Sequence, residues 1–145
     1  MTRINISKVP PSRHSETAEK IEEELLCSLA DLNTQSTNTS VVMSANSDNG
    51  HLVGGVTGLT SYGWLLVKIL WVSEECRGAG IGGQLMLAVE EEARNLGCHS
   101  TWLDTSNSQA REFYLRLGYT DFGVLENGPG KEPIEHRRWF MKKKL

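Results

Sequence analysis

The residues able to do chemistry concentrate in two short stretches of this chain. In the first, Arg77 precedes Gly78, Gly80, Gly82 and Gly83, four glycines within six residues. Glycine lets backbone N–H groups come close to a ligand. Ile81, Leu85, Ala88, Val89, Ala93 and Leu96 then recur at helical spacing, so a helix begins among the glycines. A helix start carries unpaired N–H groups and partial positive charge, and Arg77 adds a full charge. Together they suit a phosphorylated ligand. The second stretch brings Asp104, Asn107, Phe113 and Tyr114 close together. A carboxylate and a phenol are groups that hold a cation or move a proton.

Two nucleotide motifs fit the glycines in part. A Walker loop would continue as Gly-Lys-Ser/Thr, and Gly82-Gly83-Gln84 excludes it. The dinucleotide pattern G-x-G-x-x-G is met formally by Gly78, Gly80 and Gly83, with Asp104 near the place of the ribose-binding acid. That fingerprint requires the loop to follow the opening strand of a βαβ unit.

The elements around the loop decide otherwise. Val41 to Ala45 predicts a short strand, Ser47-Asp48-Asn49-Gly50 a hairpin turn, and His51 to Thr60 a returning strand. Gly54, Gly55 and Gly58 point to a bulge or a close backbone approach in it. Ser61-Tyr62-Gly63 turns the chain into an apolar strand, Trp64 to Val72. The glycine loop therefore follows an antiparallel meander, which speaks against the dinucleotide reading. The helix from about Gly80 to Leu96 ends at Gly97, with Glu90, Glu91 and Glu92 mainly on its outer face. A strand Ser100 to Thr105, parallel to Trp64–Val72, leads to a helix over 108–117. Strands Tyr119 to Leu125 and Arg137 to Lys143 complete the pattern. Lys142-Lys143-Lys144 reads as a solvated sheet edge.

Before the meander the pattern is weaker. Ile4 to Val9 alternates like an edge strand that Pro10-Pro11 would stop. Ser15 suits the N-cap of a helix whose apolar stripe is Ala18, Ile21, Leu25, Leu29 and Leu32. Asn33 to Ser40 reads as a polar loop.

The 145 residues suit one domain, 1–145. With 39% hydrophobic and 23% charged residues the composition is that of a globular domain. A net charge of −3 gives no general attraction to nucleic acid or acidic membranes. The longest apolar run is broken by Lys68 and is too short to span a bilayer. Cys27, Cys76 and Cys98 are odd in number and widely spaced, which argues against a disulfide framework and a zinc site. Reduced thiols, with Arg3, Lys8, Pro10 and Pro11 where a secretion signal needs an apolar core, predict a cytoplasmic protein without a metal.

Two signals then coincide: Leu70-Trp71-Val72 followed by Arg77-Gly78-Ala79-Gly80-Ile81-Gly82, and Asn107-x-x-Ala110-x-x-Phe113-Tyr114-x-x-Leu117-Gly118-Tyr119. Together they resemble the GNAT superfamily, the acyl-CoA-dependent N-acyltransferases, and the wording is similar to a bacterial subgroup of small members. The resemblance covers residues 41 to 125 well. It implies an α/β fold with a central mixed, mostly antiparallel sheet splayed between two parallel strands, and helices on both faces. It also implies an N-acetyltransferase that moves the acetyl group of acetyl-CoA to a primary amine by direct attack. The pantetheine arm would pair with Leu70, Trp71 and Val72. The pyrophosphate would sit on the N–H groups of Arg77, Gly78, Ala79, Gly80, Ile81 and Gly82. Asn107 and Phe113 would contact the cosubstrate from the other wall. The implied partners are a small-molecule or peptide amine acceptor and a second copy of the chain, as a homodimer.

Acyl transfer needs a neutral amine, donors for a tetrahedral oxyanion and a proton for the leaving thiolate. The family places a tyrosine where Tyr114 stands, which makes it the candidate acid. Ala110, Phe113, Tyr114 and Leu117 also form one helical stripe, so packing is the competing role. Many members carry a glutamate on the strand equivalent to Trp64–Val72; this strand has Lys68 and no acid. Asp104 is then the candidate to take a proton through water or to hold a cationic acceptor, with helix capping as its competing role. The rival from another class is an acetyl-CoA-binding sensor without catalysis.

Overall fold

The computed structural model describes residues 2–30 and 36–145. They form two compact units, Met1–Ser36 and Thr37–Leu145. In the first, a 3-10 turn over Pro11–Arg13 leads into helix α1, His14–Leu29. No side chain caps α1, so Ser15 lies inside the helix and not at its N-cap. The expected strand Ile4 to Val9 does not form, and Ile4 and Ile6 are exposed. No residue of α1 is buried: Ile21 and Leu25, in the predicted stripe, are 64% and 54% exposed. Leu32 and the start of the predicted polar loop, residues 33–35, lie outside the described residues.

The second unit is built on a mixed sheet. Strands β1 (Ser40–Asn46), β2 (Leu52–Ser61) and β3 (Trp64–Val72) make the antiparallel meander. The hairpin turn closes as its residues predict: Gly50 has φ +82°, and its N–H donates to Ser47 O at 2.8 Å. Helix α2 (Ile81–Asn95) follows the glycine loop, β4 (Ser100–Thr105) runs parallel to β3, and α3 (Ser108–Arg116) leads to β5 (Thr120–Glu126) and β6 (Arg137–Lys144). The strand order is β1-β2-β3-β4-β6-β5. Thus β6 lies between β4 and β5, and the lysine run is not on an edge.

One irregularity opens the sheet. β3 and β4 pair over three positions, ending at Leu66 opposite Trp102. Just beyond, the β2–β3 register skips Lys68, which is left as the extra residue of a bulge. A bulge bends its strand and raises its local twist. From Val67 to Val72, β3 stays paired with β2 while its other edge leaves β4. The glycine at the bend is required there. A Cβ on Gly58 would lie 2.8 Å from Leu66 O.

The core lies between the sheet and α2, where Leu85, Met86, Val89 and Ala93 meet Val41, Val56, Leu65, Val67, Leu103 and Met141. Glu90 joins that face. It is 1% exposed, not on the outer face as its acidic neighbours suggest. Lys143 Nζ donates to both its oxygens at 3.0 Å, and the Tyr119 hydroxyl donates to Oε2 at 3.2 Å. Thr101 Oγ1, 3.4 Å away, completes the surroundings of that hydroxyl. Lys143 is therefore a core partner, while Lys142 lies over the Phe122 ring.

Candidate active site

The divergence of β3 from β4 leaves a cavity of about 700 Å³ in the second unit. Leu70, Trp71 and Val72 line it from the end of β3. Cys76, Arg77 and Gly78 to Gly83, less Ala79, line it from the loop and the start of α2. Asn107, Gln109, Ala110, Phe113, Tyr114 and Arg116 line it from α3. A cavity of this size accommodates a cosubstrate-sized molecule.

The loop is shaped by backbone demands. Gly78 and Gly80 have φ of +84° and +81°, a region that costs a residue with a Cβ. Nothing lies within 4 Å of a Cβ built on either, so the demand is conformational and not steric. Gly82 is the opposite case: it is helical, but a Cβ there would meet the Phe113 ring at 3.4 Å. The first backbone bond of α2 runs from Gln84 N to Gly80 O. The N–H groups of Gly78, Ala79, Gly80, Ile81, Gly82 and Gly83 have no acceptor among the described residues. Arg77 Nε donates to Val72 O at 3.0 Å, which fixes the arm at the strand's end and leaves its terminal nitrogens unpaired. The result is a row of N–H donors beside a guanidinium and a helix N-terminus, an arrangement that binds phosphate groups. Ala79 contributes its N–H but no wall to the cavity.

Across the cavity, α3 is held at its start by Asn107. Its Oδ1 accepts from Gln109 N at 2.8 Å and Ala110 N at 3.0 Å, while its own N–H donates to Thr105 Oγ1 at 3.2 Å. Capping thus occupies the carboxamide oxygen and leaves the NH₂ group for the cavity. Tyr114 is 8% exposed, with its ring edge-on to Phe113 and Tyr119 at centroid distances of 5.2 and 5.8 Å. Both the packing stripe and the cavity wall therefore include it. Its hydroxyl has no partner among the described residues, yet it is not sealed from solvent. Burial pushes the phenol above its usual range, so it stays protonated at neutral pH.

Asp104 is not brought to this cavity. On β4 it alternates with the buried Leu103, its register partner is Phe140, and its carboxylate lies 3.6 Å from Arg138 Nε. His51 and His136 are also absent from the cavity walls, and Lys68 is exposed at the bulge. Sequence reasoning missed Cys76, Gln109, Ala110 and Arg116 as wall residues. Gln109, Phe113 and Arg116 share one helical face at i, i+4 and i+7, a spacing that marks them once α3 is known.

Among the described residues no group of three or more metal-ligating side chains converges. No described helix is long and apolar enough to cross a membrane. The cavity, its donor row and its facing helix lie in a splayed mixed sheet, and sequence comparison supplies the family. The profile of the acetyltransferase (GNAT) family matches residues 7–119, and the chain belongs to that family. The chain is 43% identical over 79 residues to the acetyltransferase Atu2258 of Agrobacterium fabrum, covering 54% of this chain and 58% of that one. It is 41% identical over 76 residues to the blasticidin-S acetyltransferase of Streptomyces morookaense, covering 52% and 56%. The aligned stretch thus spans little more than half the length of these curated relatives. A crystal structure of an acetyltransferase from Bacillus cereus superposes with a TM-score of 0.83 at 29% identity, covering 98% of both chains.

Proposed function

We propose that this chain transfers the acetyl group of acetyl-CoA to the amine of a small molecule, by direct attack within a ternary complex. The observation that carries the reading is the row of unpaired N–H groups from Gly78 to Gly83, beside Arg77, at the cavity that the bulge opens. The diphosphate of acetyl-CoA lies on that row. Its pantetheine amides pair with the free edge of β3 at Leu70 to Val72, and its thioester points toward the last β3–β4 pair. Asn107 and Phe113 hold it from the α3 side.

The amine arrives neutral and attacks the thioester carbonyl. The oxyanion that forms accepts a hydrogen bond from a backbone N–H of the free β3 edge, which is already oriented and costs no reorganisation. Collapse of the intermediate breaks the C–S bond, and the Tyr114 hydroxyl gives its proton to the departing thiolate. The amine's surplus proton leaves to water, and the Tyr114 phenolate recovers a proton from water, so the two transfers balance. Asp104 has no part in this path, because Arg138 already pairs with it outside the cavity. The blasticidin-S acetyltransferase among the relatives supports a small molecule as acceptor.

The test is a panel of amine-bearing small molecules and peptides with acetyl-CoA, read by release of free thiol, beside calorimetric titration of acetyl-CoA alone. Micromolar binding and thiol release with at least one small amine are expected. Binding without turnover across a broad panel would make the chain a sensor, and no binding would remove the reading altogether.

A further inference from the structure

We infer that Tyr119, anchored by the buried Glu90–Lys143 pair, is a positioning residue that holds the Tyr114 phenol where the leaving thiolate forms. The inference rests on the role proposed above for Tyr114 as the acid. Tyr114 has no tether of its own. Its hydroxyl has no partner among the described residues. Two rings stand edge-on to it, Phe113 at 5.2 Å and Tyr119 at 5.8 Å. Phe113 belongs to the cavity wall, whereas Tyr119 is buried.

Tyr119 is tied at both ends. Its N–H donates to Tyr114 O at 3.0 Å and closes the end of α3. Its hydroxyl donates to Glu90 Oε2 at 3.2 Å, with Thr101 Oγ1 at 3.4 Å. Lys143 Nζ donates to both Glu90 oxygens at 3.0 Å and lies 5.6 Å from the centroid of the Tyr119 ring. The anchor therefore draws on α2, β4 and β6 at once. Because α2 also begins at the N–H row, the network sets the acid and the diphosphate site in one frame. Stability does not account for it. Two charges taken from water seldom recover their desolvation, and apolar groups of similar volume often stabilise as much or more. What a fully partnered buried network supplies is one fixed arrangement. A proton donor needs that, since a misplacement of about 1 Å can cost on the order of 100-fold in rate.

The experiment compares the wild type, Tyr119→Phe, Tyr114→Phe and the double variant. It reads kcat with an amine that turns over, chemistry being rate-limiting, and calorimetric binding of acetyl-CoA. Tyr119→Phe keeps the ring and removes the anchor. It is expected to lower kcat about tenfold, as a loosened donor should, with acetyl-CoA affinity unchanged. In the Tyr114→Phe background it should cost nothing further, because the hydroxyl it acts through is already gone. Equal losses in both backgrounds, weaker acetyl-CoA binding, or wild-type kcat in Tyr119→Phe would overturn the inference and leave Tyr114 as the acid. Wild-type kcat in Tyr114→Phe would remove the acid itself, and the inference with it. Without an acceptor that turns over, NMR of ring-labelled tyrosine decides: the Tyr114 ring should flip slowly in the wild type and fast in Tyr119→Phe, and equal rates would overturn the inference. If Tyr119→Phe does not fold, Glu90→Leu/Lys143→Met/Tyr119→Phe replaces the network by apolar groups. That variant should melt no lower than the wild type and still show the loss in kcat; wild-type kcat in it would overturn the inference.

Discussion

Replacing Gly82 by alanine separates folding from binding in opposite directions. Gly82 sits in the first turn of α2 with an ordinary helical backbone, so alanine is conformationally welcome. The added methyl meets the Phe113 ring at 3.4 and 3.7 Å and Val72 Cγ2 at 3.9 Å, which is ordinary contact. Alanine exceeds glycine by about 1 kcal/mol inside a helix; half of that is reasonable for a first turn. In a chain of this size the melting temperature of the unliganded protein should then rise by about 1–2 °C. The same methyl stands in the cavity wall, where a bound diphosphate would need the space. Overpacking of a fitted site costs about 1–3 kcal/mol, so the dissociation constant for acetyl-CoA should rise by about 5- to 150-fold. Gly80→Ala supplies the contrast. Nothing crowds its Cβ, but φ of +81° costs about 1 kcal/mol, which lowers the melting temperature by about 2–4 °C. The assays are thermal melts of the unliganded proteins and calorimetric titration of acetyl-CoA. A folded Gly82→Ala variant that binds acetyl-CoA as tightly as the wild type would refute the placement of the ligand on this loop.

Three further expectations test other parts of the structure. Tyr114→Phe keeps the ring contacts with Phe113 and Tyr119, so acetyl-CoA affinity should hold while kcat falls by about 10²–10⁴-fold; wild-type kcat with chemistry rate-limiting would return Tyr114 to packing alone. Burial raises the phenols of Tyr114 and Tyr119 above the ordinary value near 10, for Tyr119 with Thr101 offsetting and Glu90 adding to the rise. The fold thus favours their neutral forms. The stability they contribute is complete below pH of about 10 and is lost as pH climbs toward their raised values, and denaturant melts of Tyr119→Phe should show a smaller alkaline loss than the wild type. Glu90→Gln leaves the Lys143 ammonium without its counter-charge in a mostly buried place and should cost about 3–5 kcal/mol in a urea melt, whereas a loss below about 1 kcal/mol would mean the pair behaves as a surface one.

What the sequence by itself determined is what local spacing controls. The helix that begins after the glycines and the hairpin at Gly50 each depend on a few neighbouring residues, so the residue types predict them; the cap of α3 is Asn107 and not Asp104. The alternation of strands and helices likewise follows from periodicity. Tertiary structure decided whatever depends on which residues meet across the chain. Asp104 looks like a proton acceptor beside Asn107, but its place on β4 turns it away from the cavity and Arg138, from a strand formed much later, pairs with it. Glu90 sits in an acidic run that reads as solvated. It is buried because Lys143 and Tyr119 arrive from β6 and from the turn before β5. The lysine run reads as an edge because strand order is not written in strand sequence; β6 entering between β4 and β5 makes it central. The bulge at Lys68 is a register mismatch between β2 and β3, so Gly58 hinted at it, and only the paired strands located it. That mismatch drives β3 from β4, and the cavity exists because of it.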